Sequence, residues 1–310
     1  CVKNYVILTI MIIKNQIKSQ IEKLKVNPLI TYPQLEAEIL LAHILQKPRE
    51  YLFSYSEKSL TKNQIARLNN LIDKRIKGEP IAYLIGKKEF YGLTFLVNKH
   101  TLIPRPETEL LIDEYKKIAL NYLNHQQVFS TIDIGTGTGC IIIACAQLLK
   151  SHSGKNNLSF IASDISQQAL LVAQKNAKLH KINKIKFING DLLKPILNSK
   201  NTKLKENIII TANLPYLTPS QVKNSPSIQS EPKSALVAGA DGLKYYKALF
   251  SQIKKLIELS KPNSMTLLCE IDPTQTQKIS EVLCQALPQA KFAIKKDLLI
   301  KDRLVIIKIK

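Results

Sequence analysis

The sequence predicts an α/β protein in which an open, doubly wound, mostly parallel sheet follows a small helical domain. From about residue 130 onward, short apolar strands alternate with helices at the pitch of βαβ units. Residues 15–78 show the 3.6-residue apolar period alone. Between them, over residues 89–102, aromatic residues flank Gly92 and mark a change of texture. A chain of 310 residues is long enough for two such parts and for a sizeable core.

The elements follow in order. Residues 5–13 form an apolar run too short to span a bilayer, and Lys14-Asn15-Gln16 stands where a signal peptide would carry small residues. This stretch reads as an N-terminal extension, with Met11 a plausible natural start. Leu35, Ile39, Ala42 and Leu45 define one helical stripe, and Ile65, Leu68, Ile72 and Ile76 a second. Thr61 with Gln64 has capping-box spacing, and Gly78 and Pro80 close that helix. Phe90, Tyr91, Phe95 and Val97 suggest a hairpin turning at Gly92. Strands are expected at 131–134, 159–163, 185–188 and 208–211, helices at 140–150 and 167–178, and a loop at 151–157. The C-terminus breaks the alternation: strand 265–271, helix 274–287, then strands 292–300 and 304–309 reversed at Lys301-Asp302.

Composition narrows the partners. Forty-five basic residues against 24 acidic ones give a net charge of +21, which favours anionic partners. Only Arg49, Arg67, Arg75, Arg105 and Arg303 are arginines, the side chain suited to bidentate phosphate recognition. A solvated lysine surface and a working basic face both stand open. The five cysteines (Cys1, Cys140, Cys145, Cys269, Cys284) contain no C-x-x-C pair and read as reduced thiols of a cytosolic protein. The five histidines show no ligand spacing, so no metal is expected.

The strand 131–134 runs into Gly135-Thr136-Gly137-Thr138-Gly139 and then an apolar helix. Glycines there let the backbone approach a ligand and leave N–H groups exposed. The dinucleotide fingerprint needs a glycine where Cys140 stands, and a Walker lysine is missing. G-x-G-x-G after an acidic strand end is instead the pattern of S-adenosylmethionine sites. Asp164 ends the second strand, where a carboxylate can accept from two ribose hydroxyls. Asp191-Leu192 follows the third, where an acid and a hydrophobe could bracket adenine. Each acid alone is commonly a turn or cap residue; three such features at successive strand ends reinforce one another.

After the fourth strand comes Ala212-Asn213-Leu214-Pro215-Tyr216, which resembles the [NDS]-P-P-[YFW] motif of enzymes that methylate a planar nitrogen. Such a nitrogen is a poor nucleophile because its lone pair is delocalised. The Asn213 side-chain oxygen and the Leu214 carbonyl can accept its two hydrogens and turn the lone pair toward the methyl donor, while Tyr216 packs on the planar face. Without the glycine loop, a plain Asn-x-Pro turn would be the better reading.

With Glu89-Phe90-Tyr91-Gly92, Leu102-Ile103-Pro104-Arg105-Pro106-Glu107-Thr108-Glu109, Glu231-Pro232 and Ala240-Asp241-Gly242-Leu243, nearly the whole chain resembles the peptide-chain release factor glutamine methyltransferase family of PrmC/HemK type. The resemblance implies a Rossmann-like S-adenosylmethionine-dependent methyltransferase sheet with a small N-terminal helical domain. The division it suggests is a helical substrate-docking domain at 1–88, a hairpin linker at 89–102 and a catalytic domain at 103–310. It implies transfer of a methyl group from S-adenosyl-L-methionine to the glutamine side-chain amide in the Gly-Gly-Gln motif of class I release factors, hence a cytoplasmic role in translation termination. Carried over, Gly135, Thr136, Gly137, Thr138, Gly139, Asp164, Leu192 and Asn213 bind the cofactor, and Asn213, Leu214, Pro215 and Tyr216 are catalytic. A monomer with no membrane partner is expected. Leu214 departs from the usual proline; Asn-Leu-Pro-Tyr is the form of enzymes that dimethylate adenine in ribosomal RNA. The alternative is therefore an adenine-N6 methyltransferase acting on DNA or rRNA, and a non-catalytic binding module would need a broken site. Leucine supplies the same carbonyl, so Leu214→Pro is expected to keep activity. Arg105 and Glu107 either order the substrate pocket or form an ion pair that staples the linker to the domain.

Overall fold

The computed structural model describes residues 11–152, 158–199 and 202–310. The run at 5–10 and the Cys1 terminus lie outside them, as do residues 153–157 of the expected loop; Lys150–His152 is a 3-10 turn. The chain divides into two compact units, residues 1–87 with Ser225–Ser230, and residues 88–224 with 231–310. No helix among the described residues is long and apolar enough to cross a membrane.

In the first unit, helices Ile13–Leu24, Pro33–Leu45 and Lys62–Ile76 share a core built on Leu24, Leu40, Leu41, Leu68 and Ile72. The Thr61 capping box forms as expected, with Gln64 N donating to Thr61 Oγ1 at 3.2 Å and Thr61 N to Gln64 Oε1 at 2.8 Å. The stripe in Pro33–Leu45 is rotated from the one the sequence suggests. Ala37, Leu40, Leu41 and Ile44 are buried together with the expected Ala42, while Leu35 is exposed. That helix is apolar on nearly every side, so its period alone does not choose the buried face.

In the second unit, a hairpin of β1 (Lys87–Phe90) and β2 (Leu93–Leu96) buries Phe90 and Phe95 in the core beneath helices Glu109–Asn124 and Cys140–Leu148. The main sheet comprises β3 (Phe129–Ile134), β4 (Ser159–Asp164), β5 (Ile185–Asn189), β6 (Asn207–Ala212), β7 (Ser264–Glu270), β8 (Lys291–Lys296) and β9 (Asp302–Ile309). Their order is β5-β4-β3-β6-β7-β9-β8, with only β9 antiparallel to its neighbours. Side chains alternate between two cores: Ile209 and Leu268 pack toward Glu109–Asn124 and Cys140–Leu148, whereas Ile208, Ile210 and Leu267 pack toward Lys244–Ser260 and Thr276–Ala286. Helices Glu109–Asn124 and Lys244–Ser260 were not anticipated, although the second carries a clear apolar stripe of Tyr246, Leu249, Phe250, Ile253 and Leu256. The strand order reverses between β3 and β6, which places a ligand crevice beyond their carboxyl ends.

The final hairpin differs from its expected form. β8 stops at Lys296 and β9 begins at Asp302, so residues 297–300, read from composition as strand, form the turn instead. The reason is Asp297, whose Oδ1 accepts from Leu299 N at 2.9 Å and Lys301 N at 3.0 Å and folds the chain back early.

Candidate active site

Each strand end contributes one part of a single cavity of about 190 Å³. Beyond β3, the N–H groups of Gly135 and Thr136 both donate to Ser163 O on β4, at 2.9 and 3.0 Å, which stitches the loop to the neighbouring strand. Gly135, Gly137 and Gly139 take φ of +69°, +55° and +79°, a backbone only glycine adopts cheaply. Asp133 sits under the loop, fully buried, accepting from Thr136 Oγ1 at 2.6 Å and Thr211 Oγ1 at 2.8 Å. Burial pushes its carboxyl up to about 7, against the pull of those hydroxyls. Asn176, unmarked in the sequence, holds the loop from the other side: its Nδ2 donates to Thr138 O at 2.9 Å and to Leu96 O at 3.0 Å.

Asp164 holds both the turn after its strand and the glycine loop. Its Oδ1 accepts from Ser166 N at 2.8 Å, where Ser166 caps the following helix, and its Oδ2 accepts from Gly137 N at 2.8 Å. Both oxygens keep lone pairs, and the residue lines the cavity. Burial raises its pKa, partly offset by those two backbone bonds. Leu192, 7% exposed, forms an apolar wall with Ile165; it holds φ +52°, and its carbonyl accepts from Ser163 Oγ at 2.8 Å.

Asn213 meets the cavity just past β6. Its Nδ2 donates to Glu270 Oε2 and to Thr108 Oγ1, both at 3.0 Å, so its amide is oriented nitrogen-inward. The reverse orientation would set Oδ1 against a carboxylate. Among the described residues nothing donates to Oδ1, which leaves it for a ligand. Glu270, at the end of β7, is buried and also accepts from the Tyr216 hydroxyl at 3.3 Å. Burial raises its pKa, while Thr108, Arg303 and Tyr216 pull it down. Sequence reasoning missed Glu270 and Thr108; the available signal was an acid ending the strand after the motif strand.

Leu214 is 2% exposed and explains its own departure from proline. A Cβ on Gly135 would meet Leu214 Cδ2 at 3.0 Å, so the leucine packs directly under the glycine loop. The buried Tyr246 hydroxyl lies against the carbonyls of Ala212 and Glu270. Proline is shorter than leucine and would leave part of the contact under Gly135 empty, so Leu214→Pro is expected to lower stability.

Gly135, Thr136, Gly137, Thr138, Asp164, Leu192, Asn213, Leu214 and Pro215 thus line one cavity, joined by Arg105 of the Pro-Arg-Pro segment and by His100, Ser234 and Tyr245, which the motifs did not single out. Gly139 and Tyr216 do not line it. Gly139 serves packing: a Cβ there would lie 3.0 Å from Ile143 and 3.1 Å from Ala173. The Tyr216 carbonyl accepts from Gln275 Nε2 at 2.8 Å, and a Cβ on Gly242 would fall 2.3 Å from that carbonyl, which accounts for the glycine of Ala240-Asp241-Gly242-Leu243. Arg105 pairs with Glu231, not Glu107; Glu231 also accepts from Ile103 N at 2.9 Å. The two distant motif pieces are therefore one staple across the cavity wall.

The donor set suits S-adenosylmethionine: a carboxylate for the ribose diol at Asp164, apolar walls at Ile165 and Leu192 for a purine, and a glycine loop that admits close backbone approach. Sheet order, crevice and loop together define an S-adenosylmethionine-dependent methyltransferase.

Comparison with known proteins narrows the class. A model of the PrmC N-terminal domain matches residues 17–86, and one of a methyltransferase domain matches residues 126–300. The release factor glutamine methyltransferase of Coxiella burnetii is 34% identical over 251 residues, covering 81% of this chain and 83% of that protein. The enzyme of that name from Aliivibrio fischeri is 37% identical over 211 residues, covering 68% and 69%. The bifunctional methyltransferase of Rickettsia typhi is 33% identical over 287 residues, of which this chain spans about half the length (52%). A solved structure of the hMettl16 catalytic domain with a MAT2A 3′UTR hairpin superposes with a TM-score of 0.51 at 16% identity, covering 86% of this chain and 90% of that one, a likeness of fold. The chain belongs to the release factor glutamine methyltransferase family.

Proposed function

We propose that this protein transfers the methyl group of S-adenosylmethionine to the side-chain amide nitrogen of the glutamine in the Gly-Gly-Gln motif of class I release factors. Family membership sets the substrate class, and the oriented Asn213 amide beside the cofactor loop is the observation that carries the chemistry. Bound along Gly135 to Thr138, Asp164 and Leu192, the cofactor would supply an electrophilic methyl on a cationic sulfur.

This chain's residues hold the nucleophile. Asn213 Oδ1 and the Leu214 carbonyl accept the two amide hydrogens, which turns the nitrogen lone pair away from them. Glu270 and Thr108 keep Asn213 from flipping. Pro215 lines the cavity beside them, and Tyr216 donates to the Glu270 carboxylate that holds Asn213. The proton that leaves the methylated nitrogen goes to water, because among the described residues no carboxylate other than Asp164 and Asp191 lines the cavity and both lie on its cofactor side. In this reading the helical unit grips the body of the factor.

The deciding experiment offers labelled cofactor together with an intact class I release factor, duplex DNA and ribosomal RNA, and locates the methyl group by mass spectrometry. Label is expected on the Gly-Gly-Gln glutamine. Label on adenine with none on the protein would replace this function with the adenine-N6 reading.

A further inference from the structure

The turn between β8 and β9 presents three consecutive large apolar side chains to solvent: Leu298, Leu299 and Ile300 are 102%, 70% and 75% exposed. Hairpin turns ordinarily carry Gly, Asn or Asp, which meet the backbone demands cheaply and are at ease in water. Here Ile300 holds φ +62°, a conformation costly for a β-branched residue. The turn is also firmly built. Asp297, its side chain 6% exposed, accepts from the N–H groups of Leu299 and Lys301 with one oxygen and from Arg303 Nε at 3.1 Å with the other. Exposure of the three side chains is thus a property of a rigid element.

Its position ties it to the active site. Arg303, which holds Asp297, also donates to Ile271 O at 3.4 Å and lies close enough to Glu270 and Tyr216 to pull on both. Registers place Ala212 opposite Cys269, and Cys269 opposite Val305, so the turn extends past the same end of the sheet from which Asn213 emerges. Two strand spacings sideways are about 10 Å, and four residues from Leu304 to Ile300 add about 13 Å, so the tip stands roughly 16 Å from the motif. A standard protein interface of about 800 Å² per partner has a radius of about 16 Å. A protein whose loop fills the cavity therefore meets this tip at the rim of its footprint.

We propose that Leu298, Leu299 and Ile300 form a docking tip for the release factor, engaging an apolar patch on its surface beside the methylated loop. Lys295 and Lys301 flank the tip, exposed and without an ion pair among the described residues, so the complementary patch is one rimmed by carboxylates. The inference rests on the function proposed above.

The test compares the wild-type chain with a triple variant, Leu298→Ser, Leu299→Ser, Ile300→Asn, in steady-state methylation of an intact release factor. Asparagine relieves the strain at 300, so the thermal midpoint is expected to hold. KM for the factor should rise about ten-fold, with kcat and calorimetric cofactor affinity within two-fold of wild type. An unchanged KM, or a fall in kcat alone, overturns the docking role while the wild type still labels glutamine. A wild type that never labels glutamine overturns the underlying function, and the tip's assignment with it. With KM unchanged, tip-dependent pelleting on anionic vesicles, or a tip-dependent shift from dimer to monomer in sedimentation, would reassign the surface to a membrane or to a second copy.

Discussion

At the scale of residues, the site turns on which atoms of Asn213 face the cavity. Two acceptors on Nδ2 leave Oδ1 as the free end, so Asn213→Ala removes the acceptor that orients the substrate nitrogen. Turnover should fall by about two orders of magnitude or more, with a much smaller change in calorimetric cofactor affinity. Glu270→Ala acts one step back: it frees the amide to flip and should reduce kcat by about ten-fold or more, again with cofactor affinity held. Near-wild-type turnover in Asn213→Ala would remove Asn213 as the orienting group, and in Glu270→Ala would remove Glu270 as the residue that holds it. Leu214→Pro shortens the side chain packed under Gly135. It should cost roughly 1–3 kcal/mol of stability, visible as a lower chemical-denaturation midpoint; an unaltered midpoint would show that the packing of Leu214 under the loop contributes nothing.

At the scale of elements, β3 and its glycine loop rest on a buried carboxyl. Asp133 has a folded pKa of about 7, above the ordinary aspartate value of 3.8. Between those values the folded state holds a proton that the unfolded state has released, so stability falls as pH rises and the loss is complete just above 7. From pH 5 to 7 the contribution lost is about 2 kcal/mol. Asp133→Asn, which keeps the shape without the titration, should flatten this slope; urea unfolding of both proteins at pH 5 and pH 8 would measure it, and parallel pH dependence would rule out Asp133 as its source. The hairpin of β1 and β2 was expected to be a linker, but Phe90 and Phe95 lie in the catalytic core, each at most 1% exposed.

At the scale of the whole molecule, that hairpin decides where the chain can be divided. A fragment starting at 102 discards two buried phenylalanines and the Leu96 contacts to Asn176 behind the cofactor loop. It should be less stable than one starting at 88 by several kcal/mol, given about 3–5 kcal/mol for emptying one buried Phe site. The longer fragment should bind S-adenosylmethionine with nearly full affinity yet methylate the intact factor with a raised KM, having lost the helical unit. Equal unfolding midpoints for the two fragments would show that the hairpin is only a tether.

Much of this was legible in the sequence because it depends on local chain. Gly135 to Gly139 must be glycine-rich wherever a strand turns tightly beneath a ligand, and Thr61 with Gln64 caps its helix without outside help, so both appear as spacing. Asp164 and Leu192 could be placed because strand ends in a βαβ sheet converge by topology. Composition misled where burial on several sides or on none was possible: the stripe of Pro33–Leu45 was misjudged on an all-round apolar helix, and Leu298 to Ile300 read as strand although Asp297 turns the chain first. Glu270, Thr108, Asn176 and Tyr246 carry no local signature at all. They come within reach of the motif only when β6, β7 and their helices pack, so the sequence by itself supplied the candidate residues, and long-range contacts alone decided the orientation of Asn213.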